Sequence, residues 1–169
     1  KIVDHEERRR EVTAAAARII IESGRSALTV RNVAQATGWS TTVVSHYFDD
    51  MADLFYETYS YATTRSRQRI DKVLATDPSD VAKLIEAVLP LDQERREDWK
   101  IWFAFWSEAL SNPTYADEQS TRAATTRDRI KACLAAMRKK GEVRRNVDID
   151  AAADRLSALI PGIASAATF

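Results

Sequence analysis

Ser40, Thr41, Thr42, Ser45 and His46 lie close together, and helical spacing sets their hydroxyls and imidazole on the outer side of one short segment. Such side chains can bond base edges or phosphate oxygens without filling a groove. From Ser23 to Phe48 there is no Asp or Glu, whereas Arg25 and Arg31 are present, so the local field favours phosphate. Acid–base or nucleophilic chemistry is poorly provided for. His5 and His46 are the only histidines, Cys133 is the only cysteine, and no metal-ligand spacing, glycine-rich phosphate loop or nucleophile motif occurs. No catalytic residue, metal or cofactor is expected, and the chain is not expected to be an enzyme.

The elements that must position these side chains are legible around them. Leu28, Val30, Val33 and Ala34 recur at helical spacing behind Thr29, whose hydroxyl can cap a first turn. Thr37-Gly38-Trp39 breaks that helix, because glycine reaches left-handed backbone angles without a Cβ penalty. Ser40 then caps a second short helix, Thr41 through Tyr47, with Val43, Val44 and Tyr47 available to pack inward. Two short helices joined through a glycine turn make a helix-turn-helix, the second member of which reads the major groove. An amphipathic helix from about Glu6 to Ser23 precedes the pair and ends at Gly24. Arg8, Arg9 and Arg10 near its start read plainly as a solvated surface.

Downstream, Asp49 and Asp50 can cap a fourth helix from about Met51 to Ala75, and Pro78 marks a break after it. The junction between domains is expected inside that helix or just after it, with residues 1–50 assigned to the reading domain and 51–169 to the rest. A helix opening at Ser79 or Asp80 should run to Leu89-Pro90, and another from about Glu94 to Leu110. Asn112-Pro113 then forms an N-cap and N1 pair for a long helix that ends at Lys140-Gly141. Asp148 should cap the last helix, and Pro161-Gly162 is expected to interrupt it with a bend. The fold class is therefore all-α: an N-terminal three-helix helix-turn-helix domain and a C-terminal helical domain.

Composition adds bounds rather than identity. The formal net charge is zero, so nucleic-acid binding must come from a local patch. A single cysteine precludes an intrachain disulfide and suits a reducing compartment. No apolar run is long enough to cross a bilayer, and the charged start lacks a signal-peptide core, so a cytoplasmic protein without membrane contact is expected. Lys1 in place of an initiator methionine is expected of a trimmed or processed chain.

Over roughly residues 8 to 57 the chain resembles the TetR family of bacterial transcriptional regulators. The resemblance rests on Ala14-Ala15-Ala16-Ala17, Gly24, Leu28-Thr29, Val33-Ala34, Gly38-Trp39-Ser40 and His46-Tyr47-Phe48, many positions at fixed spacing. Ser45-His46-Tyr47-Phe48 and Trp102-Phe103-Ala104-Phe105-Trp106 look most like the betaine-pathway, choline-responsive (BetI-like) branch. The resemblance implies a homodimeric repressor, released from a palindromic double-stranded operator by a small-molecule effector, with the C-terminal helical domain serving ligand binding and dimerisation. Ser40, Thr41, Thr42 and His46 would approach base edges, while Thr29, Arg31, Ser45 and Tyr47 would hold backbone. Residues before the first helix can also reach toward DNA in this family. Ser45 stands where most relatives carry tyrosine and Met51 where they carry lysine, residues that usually hold phosphates, which implies weaker salt dependence. Trp39 replaces a small aliphatic and either packs under the turn or lies against a sugar.

Trp99, Trp102, Phe103 and Trp106 fall on one broad helical face, with Ile101 and Phe105 on the other. They read either as core or as an effector pocket, whose indole faces would suit a quaternary ammonium ligand at about 0.5–2 kcal/mol per contact. Two departures from the betaine branch weigh against a cation: Pro161 stands where an acid is usual and Ala164 where a tryptophan is, and Glu108 lies on the opposite helical face. The stripes Ile130, Leu134, Met137 and Leu156, Leu159, Ile163 resemble the family's dimerisation helices, or else close the monomer's own core. A helical adapter that binds another protein without sequence-specific DNA binding is the rival reading.

Overall fold

The computed structural model describes residues 5–169, and they are helical without a strand among them. The order is α1 (His5–Ser23), a 3-10 turn at Arg25–Ala27, α2 (Val30–Thr37), α3 (Thr41–Tyr47), α4 (Met51–Thr76), α5 (Val81–Glu86), α6 (Gln93–Ala109), α7 (Pro113–Lys140) and α8 (Ile149–Thr168). No helix among the described residues is long and apolar enough to cross a membrane.

Local chemistry sets most helix ends. The Asp50 carboxylate accepts from the N–H groups of Ala52 and Asp53 at 2.7 and 2.8 Å, while Asp53 accepts from the N–H of Asp49, so α4 starts with a reciprocal cap. Asn112 caps α7 with Pro113 behind it, and Asp148 accepts from the N–H of Ala151 to open α8. At the other end of α7 Gly141 is left-handed (φ 83°). The N–H groups of Gly141 and Glu142 reach back to the carbonyls of Arg138 and Met137, which satisfies the orphan acceptors of the last turn.

Two compact units result: one runs through Thr64 and takes in Lys100–Phe105, the other comprises Arg65–Trp99 and Trp106–Phe169. The division falls inside α4, beyond the 50/51 boundary, because the first turns of α4 belong to the first core. Leu54, Phe55, Thr58, Tyr59 and Ala62 are buried there beside Val12, Ala15, Ala16, Leu28, Val33 and Val44. Each large apolar side chain so removed from water contributes about 1.5–3 kcal/mol. Phe105 stacks flat on Tyr59 with ring centroids 3.6 Å apart and lies 5.8 Å from Phe55, which makes the middle of α6 part of this unit.

In the second unit α4 and α6 are tied by charge. Asp98 is 0 % exposed and accepts from Arg65 and, at 2.6 Å, from Arg69; Arg69 also donates to Glu94 at 2.5 Å and to the Ala87 carbonyl at 3.2 Å. Burial pushes the Asp98 carboxyl above its ordinary range, against the opposing pull of the two guanidiniums. α7 packs along α8, where Ile130, Cys133, Leu134, Ile149, Ala153, Ile160 and Ala164 are buried.

Two expectations are corrected. α5 ends at Glu86, short of Leu89-Pro90: the N–H of Val88 bonds the Ile85 carbonyl, three residues back, so the turn after Glu86 tightens, and Pro90 has no N–H to carry it further. α8 runs unbroken through Pro161-Gly162. Proline there removes one N–H and crowds the carbonyl four residues back, yet buried Ile160 and Ala164 hold the turns on either side.

Replacing Asp98 with alanine leaves two facing guanidiniums without their shared anion and should cost about 3 kcal/mol of stability in a urea titration; a loss below about 0.5 kcal/mol contradicts the clamp. Burial, then the charges of Asp80 and Asp77, pushes the Cys133 thiol up to about 11. The folded protein should therefore resist iodoacetamide at mildly alkaline pH and react once unfolded, as mass spectrometry can follow.

Candidate nucleic-acid interface

Short helices need capping at both ends, and α2 and α3 have it. The Thr29 hydroxyl accepts from the N–H of Asn32 at 3.2 Å, and the Asn32 amide donates to the Ala27 carbonyl at 2.7 Å, which ties α2 to the turn before it. α2 stops at Gly38, left-handed at φ 74°, whose N–H returns to the Ala34 carbonyl. Ser40 accepts from the N–H of Val43 and opens α3. Val33, Ala34 and Val44 point into the core, so the remaining face of α3 is turned to solvent.

The structure gathers most of the expected site residues. Thr29, Arg31, Ser40, Thr41, Thr42, Ser45 and His46 are exposed. Thr41, Thr42, Ser45 and His46 line one open depression together with Arg8, Val43 and Tyr47. Tyr47 differs from the rest. It is only 9 % exposed, with its ring 4.7 Å from His5, 5.6 Å from His46 and 6.1 Å from Trp39, so packing claims most of its surface.

Arg9 is the residue that sequence reasoning misplaced among solvated or DNA-reaching arginines. Its guanidinium donates to the Tyr47 carbonyl at 2.7 Å, meets Glu57 at 3.5 Å and lies 4.3 Å from the centre of the Phe48 ring. It therefore holds the end of α3 to α1 and α4. Only a partner distant in sequence reveals this, and no local pattern around Arg9 signals it.

The aromatic residues of α6 are divided between the two units. Trp102 and Phe103 lie in the segment that packs with the first unit, whereas Trp99 and Trp106 belong to the second. Trp99 is 2 % exposed, its indole N–H donates to the Val88 carbonyl at 2.8 Å, and it meets Trp106 edge to face at 5.8 Å. That N–H is satisfied, so a ligand could use only the ring faces. Trp106 and Phe103 are part-exposed. Asp98, the nearest buried acid in sequence, is occupied by Arg65 and Arg69. Sequence did carry a signal for that clamp, since Arg65 and Arg69 are four apart and so are Glu94 and Asp98.

Among the described residues no group of three or more His, Cys, Asp or Glu is placed to hold a metal ion. The expected dimer stripes separate by exposure. Ile130 and Leu134 are consumed by the unit's own core, while Leu159 and Ile163 remain 56 % and 50 % exposed.

Comparison with known proteins agrees with this arrangement. Residues 12–58 match the tetR family of bacterial regulatory proteins, and residues 78–169 match the C-terminal domain of BetI-type transcriptional repressors. The chain is 27 % identical over 167 residues to the HTH-type transcriptional regulator PksA of Bacillus subtilis, covering 97 % of this chain and 80 % of the relative. It is 29 % identical over 171 residues to the HTH-type transcriptional regulator BetI of Paraburkholderia phytofirmans, covering 96 % and 83 %. Among solved structures, a transcriptional regulator from Saccharomonospora viridis in complex with choline superposes with a TM-score of 0.78 at 27 % identity, over 93 % of this chain and 83 % of that one.

The position of Arg9 gives a prediction. Arg9→Ala should lower unfolding stability by about 1–2 kcal/mol, because it leaves the Tyr47 carbonyl without its donor and the Phe48 ring without its cation. Thermal melting without DNA checks this, and an unchanged midpoint contradicts it.

Proposed function

Since this chain belongs to the TetR family of bacterial regulatory proteins, with a C-terminal half of the BetI repressor type, we propose that it acts in the cytoplasm as a homodimer on a palindromic operator. The observation that carries the reading is the solvent-facing side of α3, where Thr41, Thr42, Ser45 and His46 line one open surface on a helix capped by Ser40. Ser40, Thr41, Thr42 and His46 read base edges, and Thr29, Arg31 and Ser45 hold the phosphate backbone. Tyr47 serves mainly as packing beneath that surface.

Two such heads must enter the major groove about one turn, or 34–36 Å, apart, and that requires a two-fold axis. Exposed Leu159 and Ile163 on α8 supply an apolar patch of the kind a self-complementary interface buries. A small molecule held against the indoles of Trp99 and Trp106, with Trp102 and Phe103 on the same helix, would favour an arrangement of heads that no longer fits consecutive grooves. The shift is limited by the ligand's differential affinity for the two arrangements.

Thr42→Ala and His46→Ala should each lose at least tenfold in affinity for the operator, with unchanged melting temperature. Fluorescence anisotropy on a duplex selected by the wild-type protein measures this; retained affinity in both variants would remove α3 as the reading element. In a thermal-shift series of choline, other small amines, acids and lipophilic compounds, an effector at about 100 times its Kd adds about 2.7 kcal/mol to wild-type stability. Trp106→Ala should abolish that response, and a full response in the variant would place the effector elsewhere.

A further inference from the structure

Arg8 stands in the same open depression as Thr41, Thr42, Ser45 and His46, although it comes from α1 and not from the helix pair. Its guanidinium carbon lies over the Trp39 ring, 5.2 Å from the centroid. Among the described residues it forms no ion pair with a carboxylate, in contrast to its neighbour Arg9, which is taken up by Glu57 and the Tyr47 carbonyl. We propose that Arg8, braced on the indole of Trp39, is a phosphate clamp of the interface, with Trp39 as its positioning residue. This rests on the reading of α3 as the DNA-reading helix.

The chemistry fits a phosphate better than a base. A guanidinium engaged through its face keeps the N–H groups of its edge for a second partner, and that planar fork matches two phosphate oxygens. Arginine otherwise loses up to about 2 kcal/mol of side-chain freedom on binding; a side chain already resting on an aromatic ring has lost part of it beforehand. The exposed face of α3 offers hydroxyls and an imidazole but no arginine or lysine, so a cation from α1 at its edge supplies the charge that those residues lack. Trp39 occupies the turn between α2 and α3. The residue that follows the turn glycine is thus also the platform that sets Arg8 beside the reading face.

The test uses the full chain, the operator duplex selected by the wild-type protein and a scrambled duplex of equal length, with affinity measured across a potassium chloride series. Arg8→Gln should weaken binding to both duplexes by the same factor, and should flatten the slope of log affinity against log salt by about 1 per protomer. Trp39→Leu should give a smaller change in the same direction, and Trp39→Phe should restore most of the wild-type slope. An Arg8→Gln slope equal to wild type overturns the proposal. So does a selective loss on the operator alone, which would make Arg8 a base reader, or a fall in melting temperature as large as that of Arg9→Ala, which would make it structural. A wild-type protein that selects no duplex at all sinks the reading of α3 itself and this proposal with it.

Discussion

A carboxylate with no access to water, Asp98, sits between the guanidiniums of Arg65 and Arg69 and joins α6 to α4. Burying an anion costs several kcal/mol unless its lone pairs are filled; Arg65 and Arg69 donate to both Asp98 oxygens, and Glu94 meets other N–H groups of the same guanidiniums. An apolar replacement of equal volume could hold the two helices as tightly. What it could not do is choose one register. A side chain that must meet two forks spaced one helical turn apart tolerates neither a slide nor a rotation of α6, whereas leucines would repack. The same Arg69 takes the carbonyl of Ala87 just past α5 and so ties that helix to the cluster. One charge cluster thereby fixes where three helices lie.

The first unit relies on a different device. α2 and α3 are too short to persist as isolated helices, since nucleation is costly and few bonds repay it. They form because Thr29, Gly38 and Ser40 satisfy their ends and because Val33, Ala34 and Val44 are buried where α2 packs on α1 and on α3. Ala15 and Ala16, fully buried, leave room for that close approach. Packing uses one side of α3, and the polar side is free for a partner by default. Arg9 completes the arrangement by holding the Tyr47 carbonyl at the end of α3.

What could be read from sequence was the chemistry that acts over four or five residues. Thr29, Ser40, Asn112 and Asp148 each cap the helix predicted behind them, Gly38 takes the left-handed angle expected of it, and Gly141 ends α7 as expected. The acid-free stretch and its exposed hydroxyls were equally local. Long-range effects were not legible. The anchoring of the segment after α5 depends on donors from Arg69 and Trp99, and the role of Arg9 depends on Tyr47 and Glu57. The division inside α4 depends on which core claims Phe55 and Tyr59. Pro161 does not end α8, since a local rule is outweighed by the burial of Ile160 and Ala164.

Electrostatics shows why a chain of zero net charge can still present a DNA-reading surface. At physiological salt the screening length is about 8 Å, so a phosphate responds to the charges beside it and hardly to the molecule's total. In the second unit Arg65, Arg69, Arg122, Arg127 and Arg129 are each matched to a carboxylate, and those charges cancel where they stand. Around α3 the pairing stops: Asp50 is turned to the N-terminus of α4, and the cations that flank the polar face, Arg8 and Arg31, meet no carboxylate among the described residues. A positive surface therefore needs no excess of lysine and arginine in the chain. It needs only that acids be spent elsewhere, on caps and clamps, before the region where a phosphate would come to rest.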